Sequence, residues 1–213
     1  LTISSFFTPK NYEVLEGADL DFGVTQIMLL PNTDRAIVGV KDGKLYLLNR
    51  DNMGGYSATT NNILQTIDLG GNAFLRSSMS YYKGAQRELV YSWSENSLLR
   101  AFSYNRITGL FDLANTVSSG IQGPAGNNGA VLSVSSNGSV DSTGILWASY
   151  AANGDANHCH GPYTHLFTNQ IGKQCHNDTT NRTCPLKAAP NNNAINGFRT
   201  GSNNTTKCKQ QQP

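Results

Sequence analysis

A β-rich hairpin unit recurs along this chain at a spacing of a little over fifty residues, and that recurrence restricts the fold more than any other feature. Arg35 to Asn49, RAIVGVKDGKLYLLN, holds two apolar runs joined by Lys41-Asp42-Gly43. Arg87 to Ser103, RELVYSWSENSLLRAFS, repeats the layout, with Leu89-Val90-Tyr91 in place of Ile37-Val38-Gly39 and Leu99-Arg100-Ala101-Phe102 in place of Leu45-Tyr46-Leu47-Leu48. A third start, Gly144-Ile145-Leu146-Trp147-Ala148-Ser149, is not completed. Ile37 and Leu89 are 52 residues apart, Leu89 and Ile145 are 56 apart. A single hairpin does not fill that distance. Four short strands do, and repeats of about 40–50 residues mark the blades of β-propellers. The expected fold is all-β: a partial β-propeller of about three four-stranded blades over residues 1–157, with an irregular C-terminal tail over 158–213.

Composition agrees with many short strands. Charged residues make up 14 % of the chain, against about 25 % in an average domain, while Gly, Asn, Ser and Thr are abundant enough to supply tight turns. At 213 residues the chain holds roughly four such units and falls short of a seven- or eight-bladed ring. The remaining blades are therefore expected to be missing or to come from another chain. No window approaches about 18 consecutive apolar residues, so no membrane span is expected. The opening Leu1-Thr2-Ile3 has neither an initiating Met nor a basic-then-apolar leader, which points to a removed leader or an internal fragment.

In chain order, Pro9 argues for a loop near the start and Asn11 to Ala18 for one helical turn. Gln26-Ile27-Met28-Leu29-Leu30, closed by Pro31-Asn32, has the length of a buried strand. Ile37–Val40 and Leu45–Leu48 are joined by Asp42-Gly43, a strong hairpin signal because Gly accepts the positive φ that such turns need. These runs are apolar almost throughout, as expected of strands covered on both faces. Further strands follow at Ile63–Leu69, Met79–Gly84, Leu89–Trp93, Leu98–Tyr104, Gly109–Phe111, Thr116-Val117, Val131–Val134 and Ile145–Tyr150.

The net charge of +2 hides a split: residues 1–157 carry ten Lys/Arg and thirteen Asp/Glu, residues 158–213 six and one. All four cysteines (Cys159, Cys175, Cys184, Cys208) and all four histidines (His158, His160, His165, His176) follow residue 157. So abrupt a change marks a boundary.

The run Gly43-Lys44-Leu45-Tyr46-Leu47-Leu48-Asn49-Arg50-Asp51-Asn52-Met53-Gly54, with Leu98 to Phe102, Gly144 to Ala148 and Gly154-Asp155-Ala156-Asn157-His158, resembles secreted proteins of the pyrroloquinoline-quinone-like, or quinoprotein dehydrogenase-like, β-propeller superfamily over about residues 5–158. The resemblance implies a propeller in a secreted or cell-surface protein. In its catalytic members it implies pyrroloquinoline quinone with calcium near the propeller axis, an adjacent cysteine pair, a Trp floor, an Asp base and Asp, Glu or Asn ligands. Residues 1–157 contain no cysteine, so the pair is missing and no catalytic position carries over. The segment His160 to Phe167 departs from the family where the third repeat's second strand belongs.

Three readings of the tail stay open. It is a low-complexity, disordered extension rich in Asn and Thr; a stretch read out of frame after about residue 158; or a small disulfide or metal module. Zinc needs four ligands, and the tail has neither Cys-x2-Cys nor His-x3-His spacing. Four cysteines allow three disulfide connectivities that sequence does not distinguish. Asn-x-Ser/Thr occurs at Asn137, Asn177, Asn181, Asn203 and Asn204, the candidate glycan acceptors.

Candidate chemistry in the body is thin. Trp93 and Trp147 lie in repeat strands, where large aromatics pack between blades. Asp19, Asp21, Asp42, Asp51 and Asp155 sit by turns, where Asp bonds its own backbone. Glu13, Glu16, Glu88 and Glu95 show no spacing that pairs two across a cleft. The body lacks His, a Gly-x-Ser-x-Gly elbow and a phosphate loop, and its net acidity argues against nucleic acid as a partner. The expectation is a non-catalytic scaffold or binding module with a protein or carbohydrate ligand and no cofactor; the alternative is a quinone- and calcium-dependent oxidoreductase. Tyr46, Tyr56, Tyr81, Tyr82, Tyr91 and Tyr104 are the candidates for an aromatic binding face, set against the reading that most of them are core.

Overall fold

A computed structural model of the chain describes residues 2–70, 74–123, 129–141, 143–150 and 163–168. Among these the protein is all-β apart from one short helix. In chain order the elements are β1 (Phe7–Thr8), α1 (Tyr12–Gly17), β2 (Met28–Leu29), β3 (Arg35–Val40), β4 (Lys44–Asn49), β5 (Gly55–Tyr56), β6 (Gln65–Asp68), β7 (Ser80–Lys83), β8 (Glu88–Ser92), β9 (Leu98–Asn105), β10 (Leu110–Gln122), β11 (Val131–Ser135), β12 (Ile145–Tyr150) and β13 (Tyr163–Thr168). No helix among the described residues is long and apolar enough to cross a membrane.

The strands form a four-stranded antiparallel sheet β2-β3-β4-β6, a second one in the order β7-β8-β9-β10, and a three-stranded sheet β11-β12-β13. Each is an antiparallel meander, and among the described residues none closes on itself. A small parallel pair, β1 with β5, forms a separate hydrogen-bonded sheet.

The three sheets stack through two shared cores. Ile37, Leu45, Leu47 and Ile67 of the first sheet pack with Val90, Phe102, Tyr104 and Phe111 of the second. The opposite face of the second sheet, Tyr91, Leu99 and Ala101, packs with Leu132, Leu146 and Ala148 of the third. On the outer side of the first sheet, Val38, Val40, Tyr46 and Leu48 are covered by Phe7, Leu15, Leu20 and Phe22 of the N-terminal segment. Successive residues of a strand thus enter different cores. This is why β3 and β4 read as unbroken apolar runs: five consecutive residues of β3 and four of β4 are buried. At about 25 cal/mol per Å² of apolar surface removed from water, such doubly covered strands dominate the stability of a stack like this one.

The β3–β4 hairpin closes as expected. Val40 pairs with Lys44 across a three-residue loop, and Gly43 takes φ +83°, the left-handed conformation that ends such loops.

Four sequence expectations are changed by the structure. The Gln26–Leu30 run is strand only at Met28–Leu29 and is half-buried: Met28 and Leu30 point inward while Ile27 and Leu29 are exposed, because this strand is the edge of its sheet. The runs at Gly109–Phe111 and Thr116-Val117 belong to one strand, β10, whose pairing with β9 shifts register twice. The match between the first two repeats moves by two residues in its second strand. Gly39 pairs with Leu45, but Tyr91 pairs with Ala101 instead of Leu99, since the β8–β9 connection carries Trp93 to Ser97 where the first hairpin has a short turn. An even shift preserves which face each side chain uses, so Leu99 and Ala101 both enter the same core.

The fourth change concerns the third repeat. Tyr163–Thr168 forms β13 and pairs along its whole length with β12, from Ile145↔Thr168 to Tyr150↔Tyr163. A strand therefore follows β12 where the sequence pattern was expected to break. The rest of the tail, with Cys159, Cys175, Cys184 and Cys208 and the proposed boundary at 157, lies outside the described residues.

Candidate functional site

Burial separates the six candidate tyrosines. Tyr46, Tyr82, Tyr91 and Tyr104 are core residues, and Tyr81 is half-buried. Burial in the stack, with Asp42 nearby, pushes the Tyr46 phenol up to about 12. Tyr56 alone of the six is an exposed aromatic, at 48 %.

It has two neighbours that the sequence did not single out. Tyr12 meets Tyr56 edge to face, with ring centroids 5.4 Å apart and planes at 83°. Phe6 lies over the Gly55 backbone, its ring 3.4 Å from where a Cβ on Gly55 would stand. Tyr12 is 37 % exposed and Phe6 55 %. The period-2 alternation of the N-terminal segment puts Phe7 into the core beside Phe22 and Tyr46 and leaves Phe6 outside. On α1, Leu15 is the buried residue, whereas Tyr12, about one turn earlier at the first position of the helix, stays partly exposed. That separation was the available signal, and it needed the position of α1 against the first sheet to be read.

The acidic candidates are engaged in structural pairs. Lys41 is buried, 7 % exposed, and its ammonium lies 2.6 Å from Asp19 Oδ2 and 3.3 Å from Asp21 Oδ2. The hydrogen bond to Asp19 raises the Lys41 pKa despite burial, and the same bond lowers that of Asp19. Asp42 pairs with Lys44 and Asp51 with Arg50. Asp155 lies outside the described residues. Among the described residues no group of three or more His, Cys, Asp and Glu converges as metal ligands would.

Glu88 is the centre of a clasp between two sheets. Its carboxylate accepts hydrogen bonds from the Tyr81 hydroxyl, at 2.9 Å, and from Arg106 Nε, and lies 3.7 Å from Lys83 Nζ. Arg106 also donates to the carbonyls of Asn32 at 3.1 Å and Pro31 at 2.9 Å, on the loop before β3. Burial alone raises the pKa of Glu88, but the bonds from Arg106 and Tyr81 and the two nearby cations outweigh it and hold the carboxyl below its ordinary range. Burial and the hydrogen bond to Glu88 push the Tyr81 phenol up to about 12. An open groove of about 480 Å³ runs past Lys83, Glu88, Arg106 and Asp112. Both carboxylates on it are engaged, Glu88 by Lys83, Arg106 and Tyr81 and Asp112 by Asn115 Nδ2 at 2.7 Å.

No protein-family model matches the chain, and neither does any curated protein sequence. Glu13 and Glu16 are exposed on or beside α1 and Glu95 is buried in the β8–β9 loop, so these carboxylates occupy three different environments. Trp93 is sealed between the second and third sheets, 1 % exposed, with Nε1 donating to the Ser97 carbonyl at 3.1 Å. Trp147 donates to Ser135 Oγ at 2.9 Å on β11. Trp93 offers no free stacking floor for a flat cofactor, and the cation between Asp19 and Asp21 is a lysine. Trp93, Asp19 and Asp21 as placed are therefore occupied by structural contacts. Of the candidate glycan acceptors, Asn137 is exposed in the turn after β11, its N–H donating to Thr143 Oγ1. Asn177, Asn181, Asn203 and Asn204 lie outside the described residues.

Proposed function

We propose that the chain is a non-catalytic segment of a secreted or cell-surface β-propeller of the pyrroloquinoline-quinone-like type, serving as a scaffold or binding module for a protein or carbohydrate ligand. The observation that carries this reading is the stack itself. Two consecutive four-stranded antiparallel meanders and a third sheet share cores face to face, the arrangement that adjacent propeller blades adopt. The ionisable side chains discussed above hold sheets and turns together, while exposed aromatics stand on one rigid surface. Ligand binding on the rim of a packed scaffold is the use that such a distribution supports.

Titration of the purified chain with pyrroloquinoline quinone and Ca²⁺, followed by absorbance, tests the non-catalytic part: no calcium-dependent spectral change is expected, and tight calcium-dependent binding defeats the proposal. Limited proteolysis with intact-mass readout tests the scaffold part. A protected core spanning all three sheets is expected, and ready cleavage between the second and third sheets would show that they do not form one unit.

A further inference from the structure

We infer that Phe6, Tyr12 and Tyr56 form a binding platform for a neutral saccharide, an inference that rests on the binding-module reading and names its site and ligand class. Two exposed tyrosines in contact, with an exposed Phe6 on the backbone beside them, need a reason, since exposed rings contribute little to folding and invite association. The backbone that carries them is pinned from several sides. Phe7 and Thr8 pair in parallel with Gly55 and Tyr56, and the Gly55 N–H donates to the Phe6 carbonyl at 2.8 Å. The Met53 N–H donates to Ser5 Oγ at 2.9 Å, the Lys10 N–H to Asn61 Oδ1 at 2.7 Å, and Asn62 Nδ2 to the Asn52 carbonyl at 2.8 Å. Gly54 takes φ +86° against the Asn62 side chain, where any other residue would be strained and would collide. Rings held this way are pre-organised, so a ligand does not have to order them on binding.

The surroundings decide the ligand class. Residues 52–67 contain no charged side chain. Directly after Tyr56, the hydroxyls of Ser57, Thr59 and Thr60 form an exposed cluster, with Ser57 Oγ 3.3 Å from Thr59 Oγ1 and 3.1 Å from Thr60 Oγ1. A sugar ring presents an apolar C–H face and a rim of hydroxyls. Aromatic faces bordered by neutral hydroxyls and amides match both parts. A charged partner would leave this segment's neutrality unexplained. The Glu13 carboxylate accepts from the Tyr12 hydroxyl at 3.1 Å, so this acid is already engaged with the platform.

The test is affinity electrophoresis of the full chain in gels containing a soluble neutral β-glucan, xylan or mannan, at low and high salt. Retardation by at least one polysaccharide, unchanged by salt, is expected. It should weaken at least about tenfold in Tyr56→Ala and in Tyr12→Ala, survive largely in Tyr56→Phe, and be unchanged in Ile107→Ala, an exposed apolar residue elsewhere. Retardation that persists in both tyrosine-to-alanine variants overturns this site while leaving the binding-module reading in place. Absence of retardation by all three polysaccharides, or retardation abolished by salt, overturns the saccharide assignment; capture of a protein partner through the same tyrosines would do so too.

Discussion

The Lys41 ammonium lies 2.6 Å from the Asp19 carboxylate, a buried cation held at a hairpin turn by an exposed acid. Removing the cation and removing its partners have different consequences. In Lys41→Met the apolar stem is kept and the Asp19 and Asp21 carboxylates return to water, so a small fall in melting temperature is expected. Asp19→Ala combined with Asp21→Ala strands the ammonium and should lower it further. The pH dependence follows from the two shifts. Asp19 titrates below 3.8 when folded, so its contribution is present above that pH and is lost as pH falls through the lower folded value. Lys41 titrates above 10.5, so its contribution is present below that pH and is lost as pH rises through the higher folded value. The melting-temperature gap between the native chain and Lys41→Met should be flat between these limits and shrink beyond both; a gap independent of pH throughout would show that the pair adds nothing.

The Glu88 clasp makes a prediction at the opposite end of the scale. Tyr81 has a folded pKa of about 12 against an ordinary value of 10.0. A raised pKa adds stability that is complete below pH 10 and lost as pH rises toward 12. Tyrosinate absorbance should therefore lag behind free tyrosine and rise together with unfolding. Glu88→Ala, which removes the acceptor for Tyr81 and Arg106, should cost about 1–3 kcal/mol in urea unfolding at neutral pH and bring part of the tyrosinate signal to lower pH. Unchanged alkaline titration in Glu88→Ala would refute the role given to this carboxylate.

Trp93 fills the space between the second and third sheets. Trp93→Ala should cost about 3–5 kcal/mol by urea denaturation, through lost burial and the cavity left behind. Trp93→Phe should cost less, about 1–2 kcal/mol, because the Ser97 carbonyl that loses the indole donor keeps the bond from the Gly123 N–H. Equal losses for both variants would mean that the indole hydrogen bond, not packing, holds this core.

β13 covers an edge of β12 that would otherwise be open. A chain ending at residue 162 exposes that row of N–H and carbonyl groups and should associate in a concentration-dependent way. A chain ending at residue 168 should do so less. Size-exclusion chromatography with light scattering distinguishes them, and identical behaviour would show that β13 does not protect the edge.

Much of the architecture was legible in the residues. The doubly buried β3 and β4 announced themselves as apolar runs with a Gly43 turn, the repeat of that unit located β8, β9 and β12, and the Asn11–Ala18 turn appears as α1. The site was barely legible. Tyr56 was one of six tyrosines named together, and its neighbours Phe6 and Tyr12 were not among them. A tyrosine in a short β-rich run looks the same in sequence whether a second sheet covers it or water does.

What the sequence determined alone was local: strand or turn is set by side-chain shape, by apolar content over a few residues and by where a glycine permits positive φ. Tertiary structure decided everything that depends on partners tens of positions away. It set the two-residue shift in the second hairpin, the pairing of β13 with β12, the convergence of Asp19 and Asp21 on Lys41, and the exposure of one tyrosine while four others entered the cores. Burial and pairing are properties of two surfaces at once, and only when the sheets stack does each residue acquire its second surface.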